Sequence, residues 1–429
     1  MAGTFHIRTF GCKLNQFDSA VVESDLRARG LLPSSHIGDA SVVVINTCTV
    51  THRADADARR LARRIRRENP DCFIVATGCL AERNPEELES LPEIDLVVRR
   101  GERARLGELV AAKAVSSGAL TGPGETPSCA GTLSFGDRTR AFLKVQEGCD
   151  LRCSYCIIPE VRGPSMSVPP EQCATQLQQL IHSGYQEVVL TGVNTGDYGR
   201  DLEQSLDLVT LVRRLLEVPG LGRLRLNSLE PRTVTPEIID LLAADQRLAP
   251  HLQIPLQSGS DRILARMRRN YRTDLYARTV EELRRRVPHA GIGADVIVGH
   301  PGESDDDFEQ TLQFIESSPL NYLHVFSYSA RPGTHAATQE DRVPDGVITE
   351  RSARLRRLGD ELALRFRRSF IGKPLQTLVY DSRCRNGRLR ALTSNFIDLS
   401  LEAPDTAINT LLPATITSAT ATETLATPA

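Results

Sequence analysis

The sequence predicts an α/β protein in three successive parts: a parallel α/β sheet domain over residues 1–115, an incomplete (β/α)6 barrel over 139–371, and a small β-barrel module over 372–429. Three observations carry this reading. Short apolar runs alternate with segments of helical periodicity twice over, the pattern of parallel sheets whose crossovers are helices. Between the two alternations, residues 116–138 are rich in Gly, Pro, Ser and Thr and lack periodicity, which marks a linker. Beyond Gly372 the pattern turns to short strands separated by turn residues. The chain has 429 residues, 40% hydrophobic and 25% charged, an ordinary balance for two or three domains with cores of their own. A net charge of −2 confines any nucleic-acid binding to local basic surfaces.

In the first part, residues 5–9, 42–45, 73–77 and 95–98 read as strands, and 16–29, 53–68 and 84–90 as helices. Cys12, Cys48 and Cys79 follow the first, second and third strands. Neighbouring parallel strands end on the same side of a sheet, where ligands bind. The three thiols therefore either converge on one site or are unrelated small core residues. Cys72, just ahead of a strand, reads as a packed thiol. In the second helix Ala58, Leu61, Ala62 and Ile65 form an apolar stripe, and seven arginines lie between positions 53 and 67. Those arginines are either a solvated face or a set of phosphate contacts.

In the central part, residues 141–146, 187–190, 223–226, 251–254, 294–298 and 322–326 read as strands, each followed by a loop. In barrels of this kind the loops after the strands build the active site. The first such loop carries Cys149, Cys153 and Cys156, spaced C-x3-C-x2-C with no fourth Cys or His nearby. Thiolates so close together suit a soft metal or an iron–sulfur cluster, and three ligands on four irons leave one iron open. A ferredoxin supplies four thiolates, and a structural zinc site usually has a fourth ligand close by. The start of the chain lacks a signal-peptide pattern and no segment has the length of a membrane span, so the expected setting is the cytoplasm, where thiols stay reduced. Cys129, Cys173 and Cys384 belong to no motif, and Ser304 with Asp307 predicts a helix cap.

The spacing of Cys149, Cys153 and Cys156 resembles the radical S-adenosylmethionine (SAM) superfamily. Segments 9–19, 46–50, 76–80, 255–261, 295–299 and 331–334 resemble the methylthiotransferases within it, and the likeness covers nearly the whole chain. The resemblance implies two 4Fe–4S clusters. Cys149, Cys153 and Cys156 would hold one, whose open iron chelates SAM, and Cys12, Cys48 and Cys79 a second that carries sulfur. Thr191, Gly192 and Asn194 look like the loop that holds the amino-acid end of SAM, and Ser228, Glu230 and Gln257 carry groups suited to its polar atoms. Residues 11–15 and 46–55 are most similar to the branch that acts on N6-threonylcarbamoyladenosine beside the anticodon of tRNA. One SAM would then methylate the sulfur, and a radical from another would remove hydrogen from carbon 2 of adenine.

The implied partners are tRNA carrying that nucleoside, a reductant such as flavodoxin, and a sulfur donor. Lys13 or His52, beside the sulfur cluster, could pair with the carboxylate and hydroxyl of the threonylcarbamoyl group. Residues 372–429 resemble a TRAM-type RNA-binding β-barrel, the Thr/Ala-rich tail after Pro413 matching it least. Lys373, Arg383, Arg385, Arg388 and Arg390 stand against Asp381 there, predicting a surface for phosphates, the other reading being a solubilising cap. The chain departs from the family at Met166, where a basic residue is common, at His300, where an apolar one is usual, and at Ser327, where Pro is frequent. Two rival activities remain. One is the related methylthiolation of a ribosomal-protein aspartate, whose enzymes typically have Gly-Cys-Pro-Lys-Asn at the first cysteine. The other is a non-catalytic iron–sulfur electron carrier, which needs neither a SAM pocket nor an RNA module.

Overall fold

In the first part, β1 (Thr4–Thr9), β2 (Leu32–Pro33), β3 (Val42–Thr47), β4 (Phe73–Gly78) and β5 (Leu96–Val97) form one parallel sheet in the order β2-β1-β3-β4-β5. The structure is a computed structural model and describes residues 3–116, 118–120, 135–136, 138–202 and 206–429. Most of the predicted linker, Cys129 included, lies outside them. Every residue of β3 and β4 is buried, because helices cover both faces, and their unbroken Val/Ile runs follow from that. The two-residue β2 is exposed and gives no periodic signal, so it escaped the sequence reading. The helix His52–Glu68 buries Ala58, Ala62 and Ile65 as the stripe predicts, and Thr51 caps it by accepting from the Ala54 amide at 3.2 Å. The predicted helix 84–90 begins earlier, as Cys79–Arg83 and Pro85–Glu89, broken at Asn84 because the residue before Pro is driven out of the helical region. Arginines of the second helix pair within the domain: Arg59 with Glu87 at 2.7 Å, Arg64 with Glu68 at 3.2 Å and Arg66 with Asp95 at 2.6 Å.

The central part opens with β6 (Arg140–Lys144), followed by a short antiparallel pair, β7 (Gln146–Glu147) and β8 (Met166–Ser167), that brackets the cysteine loop. Then come β9 (Glu187–Thr191), β10 (Arg223–Arg225), β11 (His251–Gln253), β12 (Gly291–Val298) and β13 (Tyr322–Ser327). β10-β9-β6 and β11-β12-β13 are parallel sheets, joined through parallel bridges Leu224–Leu248 and Ser228–Gln253. Six strands thus run in chain order as an incomplete barrel, as predicted. Ser304 and Asp307 form the predicted capping box. At the base of the barrel Glu187 is fully buried, bonded by Arg223 at 3.0 Å and Arg225 at 2.9 Å, with Arg140 at 3.5 Å. Burial opposes ionisation of this carboxyl, yet the three guanidinium groups overcome it and hold its pKa at about 2.

The helix Asp345–Arg368 packs on β13 and leads into β14 (Pro374–Arg383), β15 (Leu389–Thr393), β16 (Asp398–Leu401), β17 (Leu411–Ala419) and β18 (Thr424–Pro428). They close into a barrel in the order β14-β15-β16-β18-β17. The Thr/Ala-rich tail supplies the last two strands. Ala414 and Ile416 of β17, together with Ala426 of β18, point into the core beside Val379 and Leu399, a two-residue period that composition hides. The loop after β15 enters the base of the central barrel. There the Phe396 ring stacks 4.2 Å from His251, and Arg225 donates to the Ser394 carbonyl at 2.9 Å. The predicted basic surface is largely neutralised: Arg383 pairs with Asp405, Arg388 with Glu402 at 2.9 Å and Arg390 with Asp398 at 3.8 Å. Antiparallel pairing and turns bring these carboxylates in from 8 to 22 positions away. Among the described residues, no helix is long and apolar enough to cross a membrane.

Glu187→Ala strands two buried guanidinium groups without a counter-charge. The expected loss is about 3–5 kcal/mol, the usual result of breaking a buried pair from one side, read as a clear drop in melting temperature. An unchanged melt would show that Arg223 and Arg225 relax to the loop carbonyls at no cost.

Candidate active site

Cys12, Cys48 and Cys79 stand at the carboxyl ends of the adjacent strands β1, β3 and β4. Cys12 begins the helix Lys13–Ala28, and Cys79 begins the helix Cys79–Arg83. Two glycines let the loops close on each other. Gly11 sits at φ +90°, and a side chain there would stand 2.8 Å from the Cys48 Cβ and Sγ. Gly78 sits at φ +94°, with the Thr47 carbonyl 2.4 Å from where its Cβ would be. Asn15 fastens the set by donating to the Phe10 carbonyl at 2.7 Å and the Thr47 carbonyl at 2.9 Å, and its Oδ1 lies 4.0 Å from the Cys79 Sγ. Sequence reasoning brought these thiols to one side of the sheet, and in the structure they are near enough that Cys12 and Cys79 raise the pKa of Cys48.

Cys149, Cys153 and Cys156 lie on the loop between β7 and β8. Gly148, at φ +72°, leaves no room for a side chain beside the Pro164 carbonyl. The Cys149 amide donates to the Gly163 carbonyl at 3.1 Å, and Ser154 fixes the middle of the loop, its amide to Met267 at 3.0 Å and its hydroxyl to His300 Nε2 at 2.9 Å. His300, the departure from the family pattern, is thus a buried support for this loop. Burial pushes the Cys48 and Cys156 thiols up to about 12 and Cys149 up to about 11. Against that, each trio has one buried guanidinium: Arg162 lowers Cys48 and Cys79, and Arg269 lowers Cys156. Among the described residues no group of three or more His, Cys, Asp or Glu converges tightly enough for a single metal ion. Three thiols without a fourth donor fit a multi-iron cluster with an open corner better than one tetrahedral ion.

The predicted ligand residues line the same end of the barrel. Gly192 lets Gln146 approach, and the Gln146 Oε1 accepts from the Val193 and Asn194 amides at 2.9 Å while its Nε2 donates to the Gly148 carbonyl at 2.8 Å. One buried amide therefore ties the Thr191–Asn194 turn to the cysteine loop. The Ser228 carbonyl accepts from Thr195 at 3.1 Å. Glu230 pairs with Arg269, whose other nitrogen donates to the Cys153 sulfur at 3.1 Å. Gln257 adopts φ +63°, and its Oε1 and the Asn194 Oδ1 are buried without a partner among the described residues, so a ligand bearing N–H donors would satisfy both. Gln146, Arg162 and Arg269 were missed because their partners are distant in sequence.

Beside Cys156 of the second cysteine loop lies a cavity of about 260 Å³. Val50 and Thr51 from the first part, Tyr155 and Cys156 from the second cysteine loop, and Asp295 and Phe326 from β12 and β13 form its walls. Phe326 and Val50 are half exposed, at 49% and 47%, the flat apolar surfaces a planar ring can lie on. The loop after β13 clamps the two parts together: buried Arg331 donates to Asp55 and, at 2.8 Å, to Thr49. Lys13 reaches across to Asn227 at 2.6 Å, and its ammonium, lowered to about 8 by burial and by Arg140 and Arg225, also feels Asp295 of the cavity wall.

Residues 4–99 match the model of the Uncharacterized protein family UPF0004, and residues 143–315 that of the Radical SAM superfamily. Threonylcarbamoyladenosine tRNA methylthiotransferase MtaB of Bacillus subtilis (strain 168) is 37% identical over 380 residues, 87% of this chain and 84% of that protein. Its namesake in Aquifex aeolicus (strain VF5) is 36% identical over 400 residues, 92% and 95%. The tRNA-2-methylthio-N(6)-dimethylallyladenosine synthase of Sphingopyxis alaskensis is 33% identical over 423 residues, 97% and 95%. Among solved structures, the radical S-adenosylmethionine methyltransferase TsrM from Kitasatospora setae superposes with a TM-score of 0.56 over 79% of this chain and 77% of its own, at 16% identity, a likeness of fold.

Arg162→Met removes the guanidinium that Asp18 and Glu147 share and leaves Asn15 without its donor. A loss of about 3–5 kcal/mol is expected, seen as a lower melting temperature. Restoring charge alone with Arg162→Lys should recover only part of it, since one ammonium cannot span the three partners. Full recovery with Lys would refute the bridging geometry.

Proposed function

The chain belongs to the tRNA methylthiotransferase family of radical SAM enzymes, and on that footing we propose that it places a methylthio group on carbon 2 of N6-threonylcarbamoyladenosine in tRNA. The observation that supports this most is the presence of two three-thiol sets in separate parts of the chain, one at the carboxyl ends of β1, β3 and β4 and one on the loop between β7 and β8. The enzyme uses SAM and iron–sulfur chemistry. In the reading proposed here, Cys149, Cys153 and Cys156 hold the 4Fe–4S cluster that binds SAM, and Cys12, Cys48 and Cys79 hold a second. When bound, the first of these groups would supply reductive cleavage of SAM and the second would supply sulfur. Residues 1–115 would be the sulfur-bearing part, 139–371 the radical part and 372–429 an RNA-binding part. The setting is the cytoplasm, with a flavodoxin-type reductant and a separate sulfur donor.

The residues of the chain bind and orient. Thr191, Gly192 and Asn194, held flat by Gln146, receive the amino-acid end of SAM, with Ser228, Glu230 and Gln257 around it. The Asn194 and Gln257 oxygens find donors there that the protein itself does not provide. Val50, Ile297 and Phe326 enclose the base and keep water from the reacting carbon. Lys13 or His52 takes the threonylcarbamoyl carboxylate. An isoprenoid in the same place would offer neither side chain a charged partner. The rival electron-carrier reading has no use for the substrate cavity.

Cys153→Ala is expected to abolish reductive SAM cleavage. Cys48→Ala should keep 5′-deoxyadenosine formation while losing methylthiolated product, measured by liquid chromatography of both nucleosides. Equal loss of SAM cleavage in two folded variants would contradict this division of labour.

Purified protein with its clusters rebuilt should convert tRNA carrying the threonylcarbamoyl group and leave tRNA carrying only an isopentenyl group unchanged. Mass spectrometry of the digested tRNA reads this directly. The reverse preference, or modification of a ribosomal protein, would overturn the substrate and leave the radical chemistry standing.

A further inference from the structure

A cleft of about 480 Å³ opens at the base of the central barrel, at the opposite strand ends from the cysteine loops. It lies where the helix Thr273–Arg286, the turn before β13 and the end of the helix Asp345–Arg368 meet. Its walls carry Arg284, His289, Arg365 and Lys373 and no carboxylate. Among the described residues Arg284 donates only to neutral oxygens: the Pro288 carbonyl at 2.7 Å, Ala290 at 2.8 Å, Pro319 at 3.2 Å and Asn321 Oδ1 at 2.7 Å. Its charge is fixed in place and uncompensated. Arg365 and Lys373 are exposed and form no ion pair among the described residues. Elsewhere the arginines of this protein are mostly paired, Arg383, Arg388 and Arg390 of the C-terminal barrel included, though not the exposed Arg385.

Two rings order these cations. Arg284 lies 5.9 Å from the centre of the Phe366 ring and Lys373 lies 5.5 Å from that of Phe370. With Leu320 and Leu362 they form low-dielectric walls that focus the positive field into the cleft. Cations from three elements around an open groove suit successive phosphates of a polyanion better than one small ion.

We propose that this cleft seats the sugar–phosphate backbone of the tRNA body, outside the nucleoside that reacts. The proposal rests on the tRNA reading above and moves the main phosphate grip from the neutralised arginines of the C-terminal barrel to the seam beneath it. Such contacts position the RNA without reading its sequence.

The test is fluorescence anisotropy of a labelled tRNA carrying the threonylcarbamoyl group against full-length protein over a salt series. Arg365→Gln/Lys373→Gln should flatten the slope of log K against log salt by about 2 and weaken binding about ten-fold or more at physiological salt. SAM cleavage without RNA should be unchanged. Arg365→Lys/Lys373→Arg, which keeps both charges, should keep the slope, and Arg383→Gln/Arg388→Gln should alter it far less. If the parent binds tRNA and the cleft variant matches it in slope and affinity, the proposal is overturned. Loss of inorganic phosphate binding alone, with tRNA binding intact, would make the cleft a small-anion site and overturn it as well. A parent that binds no tRNA would bring down the substrate reading itself.

Discussion

The arrangement of the active site depends on one buried guanidinium. Arg162, at the end of the helix that follows the second cysteine loop, is 2% exposed. It donates to Glu147 at 2.9 Å on its own side and to Asp18 and Asn15 across the domain boundary. Asn15 holds the carbonyls of Phe10, two residues before Cys12, and Thr47, next to Cys48. A displacement of Arg162 is therefore felt at both thiol sets. Burial works against the charge, but Cys79, Asp18, Cys12 and Glu147 together raise the pKa of the guanidinium above its ordinary value. A buried ion network of this kind is weak evidence for net stability and stronger evidence for a fixed registry.

Much of the fold could be read in the sequence, for definite physical reasons. Strands such as β3 and β4 are buried on both faces, so their unbroken Val/Ile runs are unmistakable, and a cysteine directly after such a strand must lie at a carboxyl edge. Arg162, Arg269 and Arg331 could not be found in this way. Their partners stand 144, 39 and 276 positions away, and an isolated arginine on a loop has no pattern. Local counting also misjudged the C-terminal arginines. Only the closed register of the small barrel brings Glu402 to Arg388 and Asp405 to Arg383. The strands β17 and β18 were obscured for another reason: Thr and Ala carry little hydrophobicity, and every second one is buried.

The two thiol sets are built alike although they come from different folds. Each sits after a strand end, relies on glycine at positive φ for its turn, and has one buried arginine beside a sulfur and a carboxylate. Arg269 joins Cys153 to Glu230, so a thiol of the second set and the proposed SAM-binding carboxylate share a single cation. Changes at either end of that pair are transmitted over one side chain.

The Phe396 loop has a bearing on how the C-terminal barrel can be studied. It fills the base of the central barrel, stacks on His251 and supplies the carbonyl that receives Arg225, while Leu392 at the end of β15 receives Arg223. Cutting the chain before β14 would thus uncork the neighbouring domain and open a buried ion cluster to water. A truncated protein that has lost RNA binding could equally have lost its barrel, so deletion cannot isolate the contribution of this module. Surface charge exchange on the intact chain is the experiment with an interpretable result.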